Sequence, residues 1–158
     1  IIKNYKLVVY SADYSVETHI KNSSFFSDLE IEIYSRFAFL QNERLLKIMG
    51  KSCIHIANSI SDGMPNVLLE AMGMGAFPIQ SNPGHVTEEV IRQGKNGYLI
   101  CNPLDEIGIS NLIKEALANE TLRKDAQNYN FKFIDQYYNR TTLQPKIITL
   151  YQSVFNGI

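Results

Sequence analysis

The sequence predicts an α/β fold in which a parallel sheet carries helices on both faces, followed by a helical C-terminal third. Three observations lead there. Short apolar runs alternate with helical periodicity from Lys6 to Cys101, which calls for strand–helix–strand units and hence parallel pairing. Two of those runs, Phe77 to Gln80 and Tyr98 to Cys101, are so short that they hold as strands only inside a buried sheet. Beyond Asp105 only helical spacing recurs.

The elements follow in order. Lys6 to Ser11 is an apolar strand. Leu29 to Tyr34 alternates apolar and acidic residues, so it is half exposed and sits near a sheet edge. Asn42 to Gly50 reads as a helix with Asn42 as cap and Gly50 as stop. Cys53 to Ala57 is a third strand, and Pro65 to Met74 a helix with proline in its first turn. After the short strand at Phe77, Val86 to Gln93 is expected to be helical and to end at Gly94. Ile109, Leu112, Ile113, Ala116 and Leu117 make one buried helical stripe. Thr121 opens a helix to about Tyr137, and Thr141 or Thr142 caps a last one. That last helix carries Leu143, Ile147, Leu150, Tyr151 and Val154 on one face. Ordinary core packing is the expected use of this stripe.

The chain has 158 residues and a formal net charge of −1, which suits one domain, residues 1–158, with a sizeable core. Apolar residues make up 45% and charged residues 20%, so disorder is excluded as a class. The near-neutral balance offers no broad field for phosphates, so no nucleic-acid partner is expected. No apolar run approaches the length of a membrane helix. Ile1-Ile2-Lys3-Asn4 has neither an initiator Met nor the regions of a signal peptide, so the chain reads as an excised piece or a processed product, and as cytoplasmic. Cys53 and Cys101 sit in apolar runs and are expected to be core filler. No Cys/His cluster has zinc spacing. His19 is assigned to the surface and His55 to a strand, neither with a site role.

Open parallel sheets bind ligands beyond the carboxyl ends of their strands. The handovers from strand to helix are Ser11 to Asp13, Ser35 to Asn42, Asn58 to Pro65, and Ser81 to Thr87. The richest is Asn58 to Pro65. Asp62-Gly63 permits a tight turn, and Pro65 can start a helix. Amide groups near Met64, Asn66 and Val67 then point outward from a helix N-terminus, a ready site for an anion such as phosphate. Glu70 lies roughly 7–8 Å further up the helix. It suits a neutral diol rather than the phosphate itself, because ionised Glu accepts two hydrogen bonds at once. Asp62 flanks the phosphate position on the other side. A ligand ordered as ribose, diphosphate and sugar fits these groups. The plainer alternative makes Gly63 and Pro65 turn residues and Glu70 a solvent-facing helix residue. Met72, Met74, Gly73 and Gly75 are expected to serve packing of the helix on the sheet.

Ser59-x-x-Asp62-Gly63-x-Pro65-Asn66-x-x-x-Glu70-Ala71-Met72-x-x-Gly75-x-x-Pro78-Ile79 resembles the signature of the family 4 (group 1) glycosyltransferases of the GT-B fold. Gly84-His85-Val86-Thr87-Glu88-Glu89-Val90 resembles that family's Gly-Gly-x-x-Glu-x-Val segment. Gly94-Lys95-Asn96-Gly97-Tyr98-Leu99-Ile100 resembles its Gly-x-Asn-Gly-x-Leu-Val turn and strand. The likeness implies a Rossmann-like C-terminal, donor-binding half of a retaining, metal-independent glycosyltransferase. It gives Glu70 the ribose hydroxyls. Asp62, as the catalytic acid position, and the backbone of Gly63, Met64 and Pro65 are given the sugar. The amides of Asn66 and Val67 are given the diphosphate. The loop Ser35 to Leu40 would pass the nucleobase of a UDP or GDP donor. No cofactor is implied; the nucleotide-sugar is the substrate. The other partners implied are a glycan or lipid-linked acceptor and an N-terminal GT-B domain. Through that domain the protein would meet the inner face of a membrane, in bacterial polysaccharide or glycolipid synthesis.

Two departures stand out. Asp62 replaces the usual Glu and is one methylene shorter, and His85 replaces the second Gly of the family's pair. The family's basic diphosphate-binding pair would precede Lys6, so the isolated chain is expected to bind donor weakly and turn nothing over. A non-catalytic nucleotide-sugar-binding domain or degenerate partner subunit is the competing expectation. A sugar-nucleotide epimerase and an interaction-only domain are the remaining ones.

Overall fold

Burial decides which of these runs become strands and how they pair. The computed structural model describes residues 4–38 and 40–157. Phe39, within the loop expected to pass the nucleobase, lies outside the described residues, as do Ile1 to Lys3. The chain divides into two compact units, Ile1–Leu45 and Leu46–Ile158. Among the described residues the strands form two parallel sheets, one of two strands and one of three.

The first unit holds β1 (Leu7–Ala12), α1 (Tyr14–Asn22), a short 3₁₀ turn (Ser24–Phe26) and β2 (Ile31–Ser35). β1 and β2 run parallel, from Leu7 opposite Ile31 to Ala12 opposite Ser35. Every residue of β2 is half-buried, in keeping with the half-exposed strand expected there, although burial does not set the apolar residues apart from Glu32. Helix α1 is absent from the periodicity reading because it buries no residue and so shows no core-facing stripe. Its signal is a cap instead. The Asp13 carboxylate accepts the Val16 N–H at 3.0 Å and the Ser15 hydroxyl at 2.7 Å. The Ser15 bond, then the Val16 bond, hold that carboxyl below its ordinary range. Helix α2 (Asn42–Met49) is helical from Asn42 itself, so Asn42 is its first residue rather than its cap.

The second unit contains β3 (Ile54–Ala57), α3 (Asn66–Met74), β4 (Phe77–Ser81), β5 (Tyr98–Ile100), α4 (Glu106–Ala118), α5 (Glu120–Tyr138) and α6 (Arg140–Phe155). Strand order is β3-β4-β5. Ala57, Gln80 and Leu99 lie side by side across the sheet. All five residues of β4 are buried. Its Phe77 and Ile79 pack with Tyr98, Ile100, Ala116 of α4 and Ala126 of α5. The second cluster joins Leu68 and Met72 of α3 to Val90, Ile91, Leu99 and the α5 residues Phe133 and Ile134. Helices thus cover both faces of this sheet, as the sequence implies. Gln80 is fully buried, and neither atom of its amide has a hydrogen-bond partner among the described residues.

Several expectations need correction. Val86 to Gln93 is not a helix; it contains the short 3₁₀ turn Thr87–Glu89, after another at Pro83–His85. The cause is Asn96. Its side chain accepts the Arg92 N–H at 2.6 Å and donates to the Val90 carbonyl at 3.0 Å, taking backbone groups that a helix would have used. Asn130 of α5 completes a buried clasp: it accepts from Asn96 Nδ2 at 2.8 Å and donates to the Asn96 carbonyl at 3.0 Å. The chain then enters β5 at Gly97, where a Cβ would stand 2.7 Å from Pro78 Cγ and 2.9 Å from the Pro78 carbonyl oxygen.

The helix caps and the cysteines also move. Asn119 and Asn139, not Thr121 and Thr141 or Thr142, cap α5 and α6, accepting the N–H groups of Leu122 at 2.9 Å and Thr141 at 3.0 Å. Cys53 and Cys101 are exposed, because each flanks a strand end instead of lying within it. No residue of α6 is buried, and of its apolar stripe Ile147, Leu150, Tyr151 and Val154 are exposed, Tyr151 by 73%. Core packing is therefore not the use of that stripe. Gly73 meets Ile134 of α5, which a Cβ would approach to 3.3 Å; α5 is the neighbour that the small residue admits. Gly75, at φ 93°, ends α3 as a left-handed cap. Among the described residues no helix is long and apolar enough to cross a membrane.

Two measurements check this account. Asn130→Ala leaves buried polar groups of Asn96 without partners and is expected to cost about 3 kcal/mol in urea unfolding. His55, buried in β3, is held neutral by desolvation, its pKa pushed down from 6.5 to about 4. The unfolded chain protonates first, so stability is complete above about pH 6.5 and falls as pH drops toward 4, by about 3 kcal/mol. His55→Leu is expected to flatten that slope.

Candidate functional site

β3 and β4 are adjacent and parallel, so the loops that leave their carboxyl ends emerge side by side. The two loops are stitched together at their bases. The Ser59 N–H donates to Ser81 Oγ at 2.9 Å, and the two hydroxyl oxygens are 3.2 Å apart. Asn58 Nδ2 donates to the Pro103 carbonyl at 2.8 Å, tying the same loop to the chain beyond β5.

Along the loop after β3, Asp62 and Gly63 are exposed. Met64 is half-buried against the Leu68–Met72 cluster. Pro65 is buried and stands one position before the helix, at φ −72° and ψ 125°, so α3 begins at Asn66 rather than at Pro65. The cap has no side-chain hydrogen bond. Leu68 N–H reaches the Pro65 carbonyl at 3.1 Å, which leaves the amides of Asn66 and Val67 as the helix's open donors among the described residues. With no acid in the first turn, nothing on the helix itself cancels the positive end of its dipole. Glu70 is half-buried, one turn on, about 6 Å along the axis from Asn66. One short segment therefore carries all seven predicted residues: Asp62 and Gly63 before the turn, Met64 and Pro65 at it, and Asn66, Val67 and Glu70 on the helix.

The loop after β4 adds residues that the motif reading had not joined. Thr87, buried, reaches the Ser81 carbonyl at 3.2 Å and Asn82 Oδ1 at 2.7 Å. Asn82 Nδ2 donates to Glu88 Oε1 at 2.5 Å, and His85 Nδ1 lies 2.8 Å from the same oxygen. The His85 bond, then the Asn82 bond, hold the Glu88 carboxyl below its ordinary range. The polar run Ser81-Asn82 at a strand end, with an acid six positions on, was the signal for this network. His19 is exposed and His55 lies in β3, as assigned.

A cavity of about 650 Å³ belongs wholly to the first unit, lined by residues such as Glu17, Lys21, Phe26 and Ile33. None of the residues predicted for the site lines it. Among the described residues, no three His, Cys, Asp or Glu side chains are grouped closely enough to hold a metal ion.

The fold recurs in solved structures. TarM from S. aureus, crystallised with UDP among other ligands, superposes with a TM-score of 0.73 at 17% identity, over 92% of this chain and 29% of that one. Sucrose-phosphate synthase from Thermosynechococcus elongatus gives 0.77 at 19% identity, over 90% of this chain and 34% of that one. The C-terminal domain of the Francisella tularensis group 1 glycosyl transferase LpcC gives 0.62 at 19% identity, over 79% and 61%. The chain thus spans about a third of the length of the first two. Comparison with curated proteins gives no match. Residues 4–133 match the family described as "Glycosyl transferases group 1". That match takes in both strand-end loops and most of the helices that hold them, and the chain belongs to the group 1 glycosyl transferases.

Proposed function

We propose that this chain is the donor-binding domain, lying within residues 1–158, of a retaining glycosyltransferase. The enzyme would move a sugar from a UDP- or GDP-sugar to an acceptor hydroxyl. An N-terminal GT-B domain would bind the glycan or lipid-linked acceptor, in bacterial polysaccharide or glycolipid synthesis at the inner face of the membrane. The observation that carries the reading is the amino end of α3. Two open amides there meet no acid in the first turn, and Asp62 and Glu70 bracket them.

The chemistry follows from charge. Breaking the bond between the sugar and its nucleoside diphosphate leaves negative charge on the departing phosphate. The Asn66 and Val67 N–H groups point at that charge and need no reorganisation to meet it. Glu70, one turn away, accepts the two ribose hydroxyls instead of competing for phosphate. Asp62 and the Gly63–Pro65 backbone hold the sugar while an acceptor hydroxyl attacks the same face and gives its proton to the departing phosphate. No metal or cofactor takes part in this reading. A single exposed helix end contributes only ~0.3–1 kcal/mol toward an anion. The chain alone therefore binds donor weakly, and turnover needs the acceptor domain and further basic groups.

The shorter acid at position 62 supports a second reading, a domain that binds nucleotide-sugar without catalysing transfer. Donor binding by the full-length protein without turnover on any acceptor would select it.

Calorimetry with UDP- and GDP-sugars tests the proposal. Asn66→Pro suits the helix start, because Pro65 already has the extended backbone that precedes a proline, yet it removes one donor amide. It is expected to weaken binding of both the nucleotide-sugar and the free nucleoside diphosphate about 5- to 10-fold, that is ~1–1.4 kcal/mol, with the fold intact by circular dichroism. Glu70→Ala is expected to weaken both by at least as much, through the ribose. Tight binding untouched by either change would overturn the assignment.

A further inference from the structure

The loop after β4 carries two successive residues in the left-handed region, Gly84 at φ 69° and His85 at φ 62°. Glycine adopts this freely. For histidine it costs on the order of 1 kcal/mol, and such strain persists where the surroundings hold it. His85 projects outward, its side chain 82% exposed.

That exposed ring is nevertheless oriented. Nδ1 lies 2.8 Å from Glu88 Oε1, and Asn82 Nδ2 holds the same oxygen at 2.5 Å. Asn82 is itself held by the Thr87 hydroxyl at 2.7 Å, and Thr87 is buried. A carboxylate only accepts hydrogen bonds, so Nδ1 carries the hydrogen. In the neutral ring, Nε2 then presents a lone pair away from Glu88. An outward-facing acceptor backed by a carboxylate repels phosphate oxygens and suits a hydroxyl. The stitch between the loops sets the base of this loop beside the other. Ser81 at the base of this loop receives the Ser59 N–H at the base of the loop that bears Asp62 to Pro65.

We propose that His85 Nε2 accepts a hydrogen bond from a hydroxyl of the donor's sugar, which makes His85 a specificity-determining residue. The inference rests on the donor-binding reading above and adds a contact to it. The chemistry selects the polyhydroxylated end of the ligand, not its nucleotide. Glu88 acts through His85 as a positioning residue, fixing the ring's tautomer and direction.

The test uses the full-length protein, titrated with UDP-glucose, UDP-N-acetylglucosamine and GDP-mannose, and separately with UDP and GDP. His85→Gly removes the ring and relaxes the backbone, so it is expected to melt no lower than the wild type. It is expected to weaken the nucleotide-sugar that the wild type binds 5- to 10-fold, while the matching nucleoside diphosphate stays within twofold. Glu88→Gln offers Nδ1 an amide donor, so the ring can take the Nε2–H tautomer and the sugar-dependent affinity falls in the same direction. Nitrogen-15 NMR of the free wild type is expected to report hydrogen on Nδ1. Nucleotide-sugar binding unchanged in His85→Gly overturns the contact and leaves the donor-binding reading standing. An equal loss for the bare diphosphate, or an Nε2–H tautomer in the wild type, overturns it too. Failure of the wild type to bind any of the five ligands overturns the donor-binding reading and this inference with it.

Discussion

The complete burial of β4 is the constraint on which the second unit depends. Five consecutive residues with no exposed face must be covered on both sides, so α3 and α4 have to pack in separate clusters, and α5 contributes Ala126 to the one and Phe133 and Ile134 to the other. A parallel strand buried in this way sends its neighbours in the same direction. Their outgoing loops are then forced to one edge, where Ser59 meets Ser81. The candidate site is a by-product of that geometry. Polar chemistry can gather at Asn58–Pro65 and Ser81–Glu88 because the apolar chemistry of Phe77, Ile79, Leu68 and Met72 leaves the chain no other place to turn.

How much of this was legible in the sequence depends on whether a residue declares itself through its own neighbours. β3, β4, β5 and α3 were readable because burial imposes a pattern on consecutive residues. α1 was not readable by periodicity, since a helix with no buried residue carries no core-facing stripe; it showed only through the Asp13 cap. The short turn at Thr87–Glu89 in place of a helix was hidden for a different reason. Its cause, Asn96, acts backwards on Val90 and Arg92, and is held in turn by Asn130, far along the chain. Local pattern cannot report a partner so distant in sequence. The exposed cysteines teach the same limit: Cys53 and Cys101 sit in apolar runs, but a strand's end is not its interior.

The candidate site was legible in composition and not in connection. Asp62, Gly63, Pro65 and Glu70 announce a turn, a helix start and an acid one turn up. Spacing alone does not say that Ser59 would bond to Ser81, or that Asn82 and His85 would converge on one oxygen of Glu88. The α6 stripe shows the converse. Its apolar spacing was plain, yet spacing fixes only which residues share a face, and in this chain that face is open.

The two strand-end loops differ in how firmly they are held, and the difference suits their positions. The segment after β4 is pinned at Thr87, Val90 and Ile91, all buried, and then by the Asn96–Asn130 clasp behind them. At its tip Gly84 and His85 stand in the left-handed region, and the strain of the histidine there is opposed by a firmly anchored base. The segment after β3 is pinned at Ser59, Met64 and Pro65, with Asp62 and Gly63 free between those points. A well-anchored wall beside a more exposed one can fix the direction of a ligand while leaving room to admit it. Sites that must hold geometry to a fraction of an ångström are built on such supports. Here the support is the same buried core that made the strand recognisable.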